Sequence, residues 1–105
     1  MVEKQIAIVK KRIDETKSEI IKVGDMRPGS LTKQYRDPEN KTGSYYQISY
    51  THEMKSRTEY VRSEFVKEVR LQIKNYKRYK KLSAKLISLS IEYSKLMMKM
   101  KREKS

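Results

Sequence analysis

The chain has 105 residues, of which 26 are Lys or Arg and 13 are Asp or Glu, so its formal net charge is +13. This length predicts a single domain, and the charge predicts a polyanionic partner, nucleic acid ahead of an anionic membrane. There is no cysteine and only one histidine, His52, which excludes a disulfide framework and predicts neither a metal site nor a cofactor. With no apolar leader and no membrane-spanning apolar run, the prediction is a soluble cytoplasmic protein.

Residues 1–23 are predicted to form a helix with a narrow apolar seam. Steps of four and three residues, the heptad spacing of coiled coils, separate Val2, Ile6, Val9, Ile13, Thr16, Ile20 and Val23. Gly24 is expected to end this helix in the left-handed conformation. Because a helix with so little apolar surface is not stable alone in water, we expect it to pack on the C-terminal helix, in the same chain or in a second copy.

Residues 24–43 are predicted to form a loop. Pro28-Gly29 is typical of a turn, and Ser30 is expected to cap a short turn after it. The segment combines hydroxyl groups, cations and free backbone amides, which together can bind a phosphate. The candidate phosphate ligands here are Arg27, Ser30, Lys33 and Arg36. The glycine spacing excludes a nucleotide-binding P-loop, and a plain connector is the alternative interpretation.

Residues 44–62 are predicted to form a β-hairpin, since β-branched and aromatic residues are concentrated in 45–51 and 56–61. Tyr46, Ile48 and Tyr50 alternate along the first strand, and we expect this face to rest on a helix. Tyr45 lies on the other face, either as a lid over apolar residues or as a stacking platform for bases. The four-residue link leaves the register open, and with it the face that carries Arg57.

Residues 63–100 are predicted to form one long helix, followed by a tail at 101–105. Apolar residues recur at steps of three and four along it, with neither Gly nor Pro between them. A second stripe, opposite the apolar one, is basic. It comprises Lys67, Arg70, Lys74, Lys77, Arg78, Lys81 and Lys85. No acid lies between Arg70 and Leu86, so a polyanion-binding face and an ordinary solvated face both remain open interpretations.

Three blocks of the chain are distinctive: R-P-G-S-L-T-K-Q-Y at 27–35, G-S-Y-Y-Q-I-S-Y-T at 43–51 with a basic return strand, and N-Y-K-R-Y-K at 75–80. In their order and spacing these blocks resemble a family of small bacterial proteins of unknown function. Many relatives carry cysteines after the Q-Y pair, but residues 36–42 of this chain contain none. The resemblance implies an accessory protein found near mobile-element genes, with no metal carried over to this chain.

The predicted fold is α+β and mainly α, an antiparallel two-helix coiled-coil stalk with an inserted β-hairpin head. The predicted function is a non-catalytic accessory protein that binds DNA or RNA, because no titratable pair suited to acid–base catalysis is evident. Its candidate binding residues are Arg27, Ser30, Lys33, Arg36, Tyr45, Arg57, Arg62, Arg70, Lys74, Lys77, Arg78 and Lys81. The alternative is a coiled-coil adaptor that forms a homodimer or binds a larger protein through its seam. No membrane partner is predicted.

Overall fold

The computed structural model describes residues 1–104. The elements in chain order are α1 (Val2–Ile21), β1 (Ser30–Asp37), β2 (Thr42–His52), β3 (Lys55–Val61), a 3-10 turn (Ser63–Phe65) and α2 (Val66–Lys104). The prediction of a mixed, mainly helical α+β fold is confirmed. The chain divides into two compact units: a sheet unit of residues 24–77, and a helical unit formed by residues 1–23 and the chain from Arg78 onward.

In the helical unit, α1 packs against the C-terminal part of α2. Val9 and Ile13 are buried together with Leu89, as the apolar steps of both helices predict. The ammonium group of Lys10 lies 5.7 Å from the ring centroid of Tyr93. Glu19, further along α1, is 4.0 Å from Arg78, which precedes Tyr93 in α2. The two helices therefore run in opposite directions within one chain.

The end of α1 differs from the prediction. The helix ends at Ile21, and Lys22 caps it in the right-handed conformation, with φ −80°. Positive φ values occur at Gly29 and Gly43 and not at Gly24, so the left-handed stop expected at Gly24 is wrong. The amides of Lys22 and Val23 donate to the carbonyls of Glu19 and Ile20. These bonds give two carbonyl groups of the last turn of α1 a hydrogen-bond partner.

The predicted two-stranded hairpin is one part of a three-stranded antiparallel sheet with strand order β1-β2-β3. β1 lies within the stretch expected to be a loop, and it pairs with β2 from Ser30 opposite Ser49 to Asp37 opposite Thr42. The alternation of residues 30–35 suits a strand with one buried face, and Pro-Gly precedes the strand without preventing it. In the turn that follows, Asn40 donates to the Asp37 carboxylate through its side chain and backbone, which lowers the pKa of Asp37.

The core of the sheet unit lies between one face of the sheet and the first turns of α2. Ile48 is fully buried and packs with Val61, Val66, Val69 and Ile73, and the half-buried Leu31 and Tyr46 lie against them. The prediction that the face of Tyr46, Ile48 and Tyr50 rests on a helix is confirmed for Tyr46 and Ile48, whereas the Tyr50 hydroxyl donates to Glu59 of β3. Within residues 1–104, neither helix combines the length and the apolar character that crossing a bilayer requires.

Candidate nucleic-acid interface

A groove in the sheet unit brings the predicted phosphate-binding loop and part of the basic stripe together. It is a cavity of about 370 Å³ between the start of β1 and α2. Its lining residues are Gly29, Ser30, Leu31, Arg70, Ile73, Lys74 and Lys77. We call this cavity the basic groove. It combines the backbone around Gly29 and Ser30 with three cations, and both sets can contact phosphate oxygens.

The helical repeat places the three cations of the groove side by side. Arg70, Lys74 and Lys77 follow one another at steps of four and three residues, so they share one side of α2. Ile73 lies among them, is buried in the sheet core and holds this side of the helix next to the sheet. The cations thus flank the apolar face beside β1, whereas the sequence predicted them on the opposite side of the helix.

Gly29 sets the distance between the turn and β2. Its φ is +140°, and a Cβ atom at this position would lie 2.9 Å from Cγ1 of Ile48 and 3.0 Å from the carbonyl oxygen of Ser49. No other residue type fits there without a shift of the backbone. The close approach lets Ser30 begin the edge strand at the mouth of the groove.

The cations of the groove have no carboxylate partner among the described residues. None of the ion pairs found in residues 1–104 includes Arg70, Lys74 or Lys77. The guanidinium carbon of Arg70 lies 5.6 Å from the ring centroid of Tyr46, a contact that orients the side chain without neutralising it. Glu64 and Glu68 line a second surface pocket together with Arg70 and Lys74, but neither acid lines the groove.

Arg27 belongs to a different cluster, which the sequence did not reveal. Its guanidinium donates to Glu59, which also accepts a hydrogen bond from the Tyr50 hydroxyl, and its backbone amide donates to the carbonyl of Gln72. The hydrogen bonds from Tyr50 and Arg27 lower the pKa of Glu59, because they favour the carboxylate. The hydrogen bond that the Tyr50 hydroxyl donates to Glu59 raises the pKa of Tyr50. Arg27 therefore ties the loop to the sheet and to α2.

The other predicted ligands of the sheet unit lie outside the groove. Lys33 lies on the same face of β1 as Leu31, with its ammonium 5.7 Å from the Tyr35 ring. Arg36 lies on the opposite face and packs over Gly43. Arg57 of β3 lies opposite Tyr50 of β2 in the strand register, and the guanidinium of Arg62 is 3.5 Å from Glu64. The structure thus brings together Ser30, Arg70, Lys74 and Lys77 in the groove. It leaves Lys33, Arg36, Arg57 and Arg62 outside it.

Two of the predicted ligands, Arg78 and Lys81, belong to the helical unit. Arg78 is within 4.0 Å of Glu19 of α1, and 62% of its side chain is exposed. Lys81 is exposed as well. The helical unit also has an apolar surface strip on α2, which includes Ile87, Ile91 and Met98.

The face of the sheet turned away from α2 carries Tyr45, Gln47 and Ser49, as the alternation of β2 predicts, together with residues of β1 and β3 that the sequence did not place. The pairings of β1, β2 and β3 define its members, and we call it the open face. They are Ser30, Thr32, Gln34, Arg36, Tyr45, Gln47, Ser49, Thr51, Ser56, Thr58 and Tyr60. The alternation within each strand was visible in the sequence, but the order and register of the strands were needed to place Tyr60 beside Tyr45.

Comparison with known proteins returns no match. No protein-family model, no curated protein and no solved structure matches the chain.

Proposed function

We propose that the protein is a non-catalytic nucleic-acid-binding protein that grips phosphates in the basic groove. The observation that carries this proposal is the meeting of three cations without acidic partners and the Gly29-Ser30 turn in one cavity. Lysine and arginine side chains contact phosphates without regard to sequence, and backbone amides and hydroxyls add directed hydrogen bonds. The groove therefore supplies both kinds of contact to one stretch of a phosphate backbone.

The length of the cationic row suits a nucleic-acid backbone better than a single small anion. From Arg70 to Lys77 the helix rises by about 10 Å, roughly the axial length of three nucleotides in one strand of B-DNA. Each neutralised phosphate releases condensed counterions, so binding becomes steeply dependent on salt. Lys33, Arg36, Arg57 and Arg62 are proposed as further phosphate contacts of the sheet unit, and Arg78 and Lys81 as contacts of the helical unit. Arg27 is proposed as a structural residue.

We further propose that α1 and α2 of the helical unit form an antiparallel coiled coil that serves as a stalk. The heptad spacing of α1 and the buried residues Val9, Ile13 and Leu89 support this interpretation. The resemblance of the 27–35 and 43–51 blocks to small bacterial proteins near mobile-element genes supports a role as an accessory in a nucleoprotein complex.

The proposal is tested by the salt dependence of oligonucleotide binding. We expect a variant with Lys74→Glu and Lys77→Glu to lose affinity by at least about tenfold at low salt, and the slope of log K against log salt to become shallower by about 1.4 to 1.8. The matched control is Lys41→Glu with Lys55→Glu. It makes the same charge change in the turn before β2 and at the first residue of β3, two positions that do not line the groove, and we expect it to keep the wild-type slope.

Two outcomes would contradict the proposal. If wild-type affinity hardly changes between about 50 and 200 mM salt, phosphate contacts do not drive binding. If the Lys74 and Lys77 variant binds like the control, the groove is not the site. Circular dichroism of both variants shows whether the fold is retained, so that a loss of binding is assigned to the charges.

A second candidate function is that of a protein adaptor, and the apolar strip on α2 favours it. Ile87, Ile91 and Met98 are 60%, 52% and 58% exposed, although they share one face of the helix. Lys95 is the charged residue among those lining this strip, so the expected occupant is an amphipathic helix of a protein partner with acidic residues beside its apolar face. Ile87→Asp with Ile91→Asp would then abolish partner binding and leave oligonucleotide binding unchanged.

A further inference from the structure

The open face of the sheet differs in composition from the rest of the molecule. Charged residues make up 37% of the chain, yet Arg36 is the one charged member of the open face. The other members carry hydroxyl, amide or phenol groups, and most of them are exposed. A solvated sheet face in so basic a protein would be expected to carry several lysines, which also protect sheets against aggregation. The open face instead offers uncharged hydrogen-bonding groups and aromatic rings.

Two tyrosines stand next to each other on this face. The ring centroids of Tyr45 and Tyr60 are 6.4 Å apart, and their planes are inclined by 44°. They belong to the neighbouring strands β2 and β3, and Gln47 lies directly opposite Tyr60. Tyr60 is 64% exposed. This separation lies within the range of aromatic pairs, and the tilt leaves ring surface exposed to solvent.

The open face and the basic groove meet at Ser30. This residue lines the groove, and it also begins the row of open-face residues on β1, opposite Ser49. β1 is an edge strand, and β3 lies two strand spacings away, about 10 Å across the sheet. A flexible polymer whose phosphates lie in the groove can therefore pass over the edge of β1 and place its bases on the open face.

We propose that the open face binds unpaired bases of single-stranded nucleic acid, stacked on Tyr45 and Tyr60, with the Gln47 amide hydrogen-bonding to base edges. This inference rests on the proposed function, since the groove supplies the phosphate contacts. Unpaired bases stack readily on aromatic side chains, whereas the bases of a duplex are already stacked on each other. Duplex DNA would have to accept the whole three-stranded face in a major groove about 12 Å wide, which suits a two-stranded ribbon.

The experiment compares labelled oligonucleotides of about 12 nucleotides, a length within the range of known single-strand sites, by fluorescence anisotropy. The ligands are single-stranded DNA, RNA of the same sequence, the DNA duplex and an abasic DNA of equal length. We expect wild-type protein to bind at least one of the single strands more tightly than the duplex. The abasic strand should bind more weakly than intact single-stranded DNA but with the same salt slope, because it keeps the phosphates and lacks the bases.

Variants locate the stacking. Tyr45→Val and Tyr60→Val should each weaken single-strand binding by about 5- to 150-fold, while Tyr45→Phe and Tyr60→Phe should stay near wild type because the rings remain. Binding of the abasic strand should be unaffected by all four substitutions. Valine favours strands, and Tyr60 is mostly exposed, so the sheet should be retained.

The failures of the two proposals are distinguishable. If intact and abasic strands bind equally, or if the duplex binds more tightly than both single strands, the stacking proposal is overturned while groove binding stands. The comparison of intact and abasic strands uses wild-type protein, so it decides the matter even if a variant does not fold. If no oligonucleotide binds, the proposed function fails first.

Discussion

At the scale of single residues, the groove depends on a glycine that sequence reasoning treated as part of a turn. Gly29 allows the backbone to approach β2 closely, and this approach carries Ser30 to the mouth of the groove. The three cations line the groove because they lie on the same side of α2. A phosphate ligand in the groove would therefore contact backbone and cationic groups that come from two distant parts of the chain.

Substitution of Gly29 should destabilise the sheet unit. In Gly29→Ala the new Cβ would meet Ile48 and the carbonyl of Ser49 at 2.9 and 3.0 Å, and φ stays in a region unfavourable to alanine, so the free energy of unfolding should fall by about 1–3 kcal/mol. Chemical denaturation measures this change. Gly24→Ala is the control, because Gly24 has no positive φ and its Cβ would meet only the side-chain amide nitrogen of Asn75, at 3.1 Å. Equal effects at both glycines would show that the close approach is unimportant.

Glu59 should make the stability of the sheet unit depend on pH in the acid range. Its pKa is lowered by the hydrogen bonds from Tyr50 and Arg27, so it contributes stability above its unfolded-state pKa, near 4.5, and this contribution is lost as the pH falls through the folded-state value. We expect the melting temperature of wild type to exceed that of Glu59→Gln at pH 6 and the difference to shrink below pH 4.5. A difference that is constant with pH would contradict this assignment.

At the scale of elements, α2 performs a different task in each unit. Its first turns cover the sheet with Val66, Val69 and Ile73, and its later turns pack on α1 through Leu89. The sequence predicted one apolar face along this helix, but the buried residues do not form one: from Ile73 to Leu82 the chain advances nine residues, about two and a half helical turns, so the two buried sets lie on different sides of α2.

The helical pair has a small core, so each buried residue should matter. Leu89→Ala should lower the free energy of unfolding by about 2–4 kcal/mol, since it removes apolar contacts with Val9 and Ile13 and leaves a cavity. Ile87→Ala, two residues earlier and 60% exposed, should change it by less than about 0.5 kcal/mol. Urea denaturation followed by circular dichroism compares the two. A similar loss at both positions would mean that the strip around Ile87 is covered in solution.

At the scale of the whole molecule, the charge is divided unevenly between the two units. The sheet unit has 11 basic and 7 acidic residues, and the remaining 15 basic and 6 acidic residues belong to residues 1–23 and 78–105. Total charge therefore does not locate the site. The groove is distinguished by cations that lack acidic partners and adjoin a turn, and not by the number of cations in its unit.

Each unit has its own buried cluster, and we expect local stability to follow this division. Ile48→Ala should increase the hydrogen exchange of β1, β2 and β3 more than that of α1, because it removes the residue at the centre of the sheet core. Hydrogen exchange measured by mass spectrometry reports the change for each segment. An equal increase in α1 and in the sheet would show that the molecule opens as one cooperative unit.

The sequence by itself determined the two helices, the pairing of β2 with β3 and the residues of the apolar seams. Each of these follows from a local repeat in the sequence. The helices repeat their apolar residues at steps of three and four, as from Val9 to Ile13 in α1, and β2 alternates through Tyr46, Ile48 and Tyr50. Local periods state which side of an element is apolar. They also placed the cations on one side of α2.

Only the tertiary structure decided that residues 30–37 form an edge strand, that Arg27 pairs with Glu59, and that Ser30 and Lys74 line the same groove. The physical reason is that these contacts join residues far apart in the chain, and their energy depends on strand order and register, which no local pattern encodes. Tyr45 and Tyr60 show the same limit: each was visible in the sequence, and the register of β2 and β3 made them neighbours.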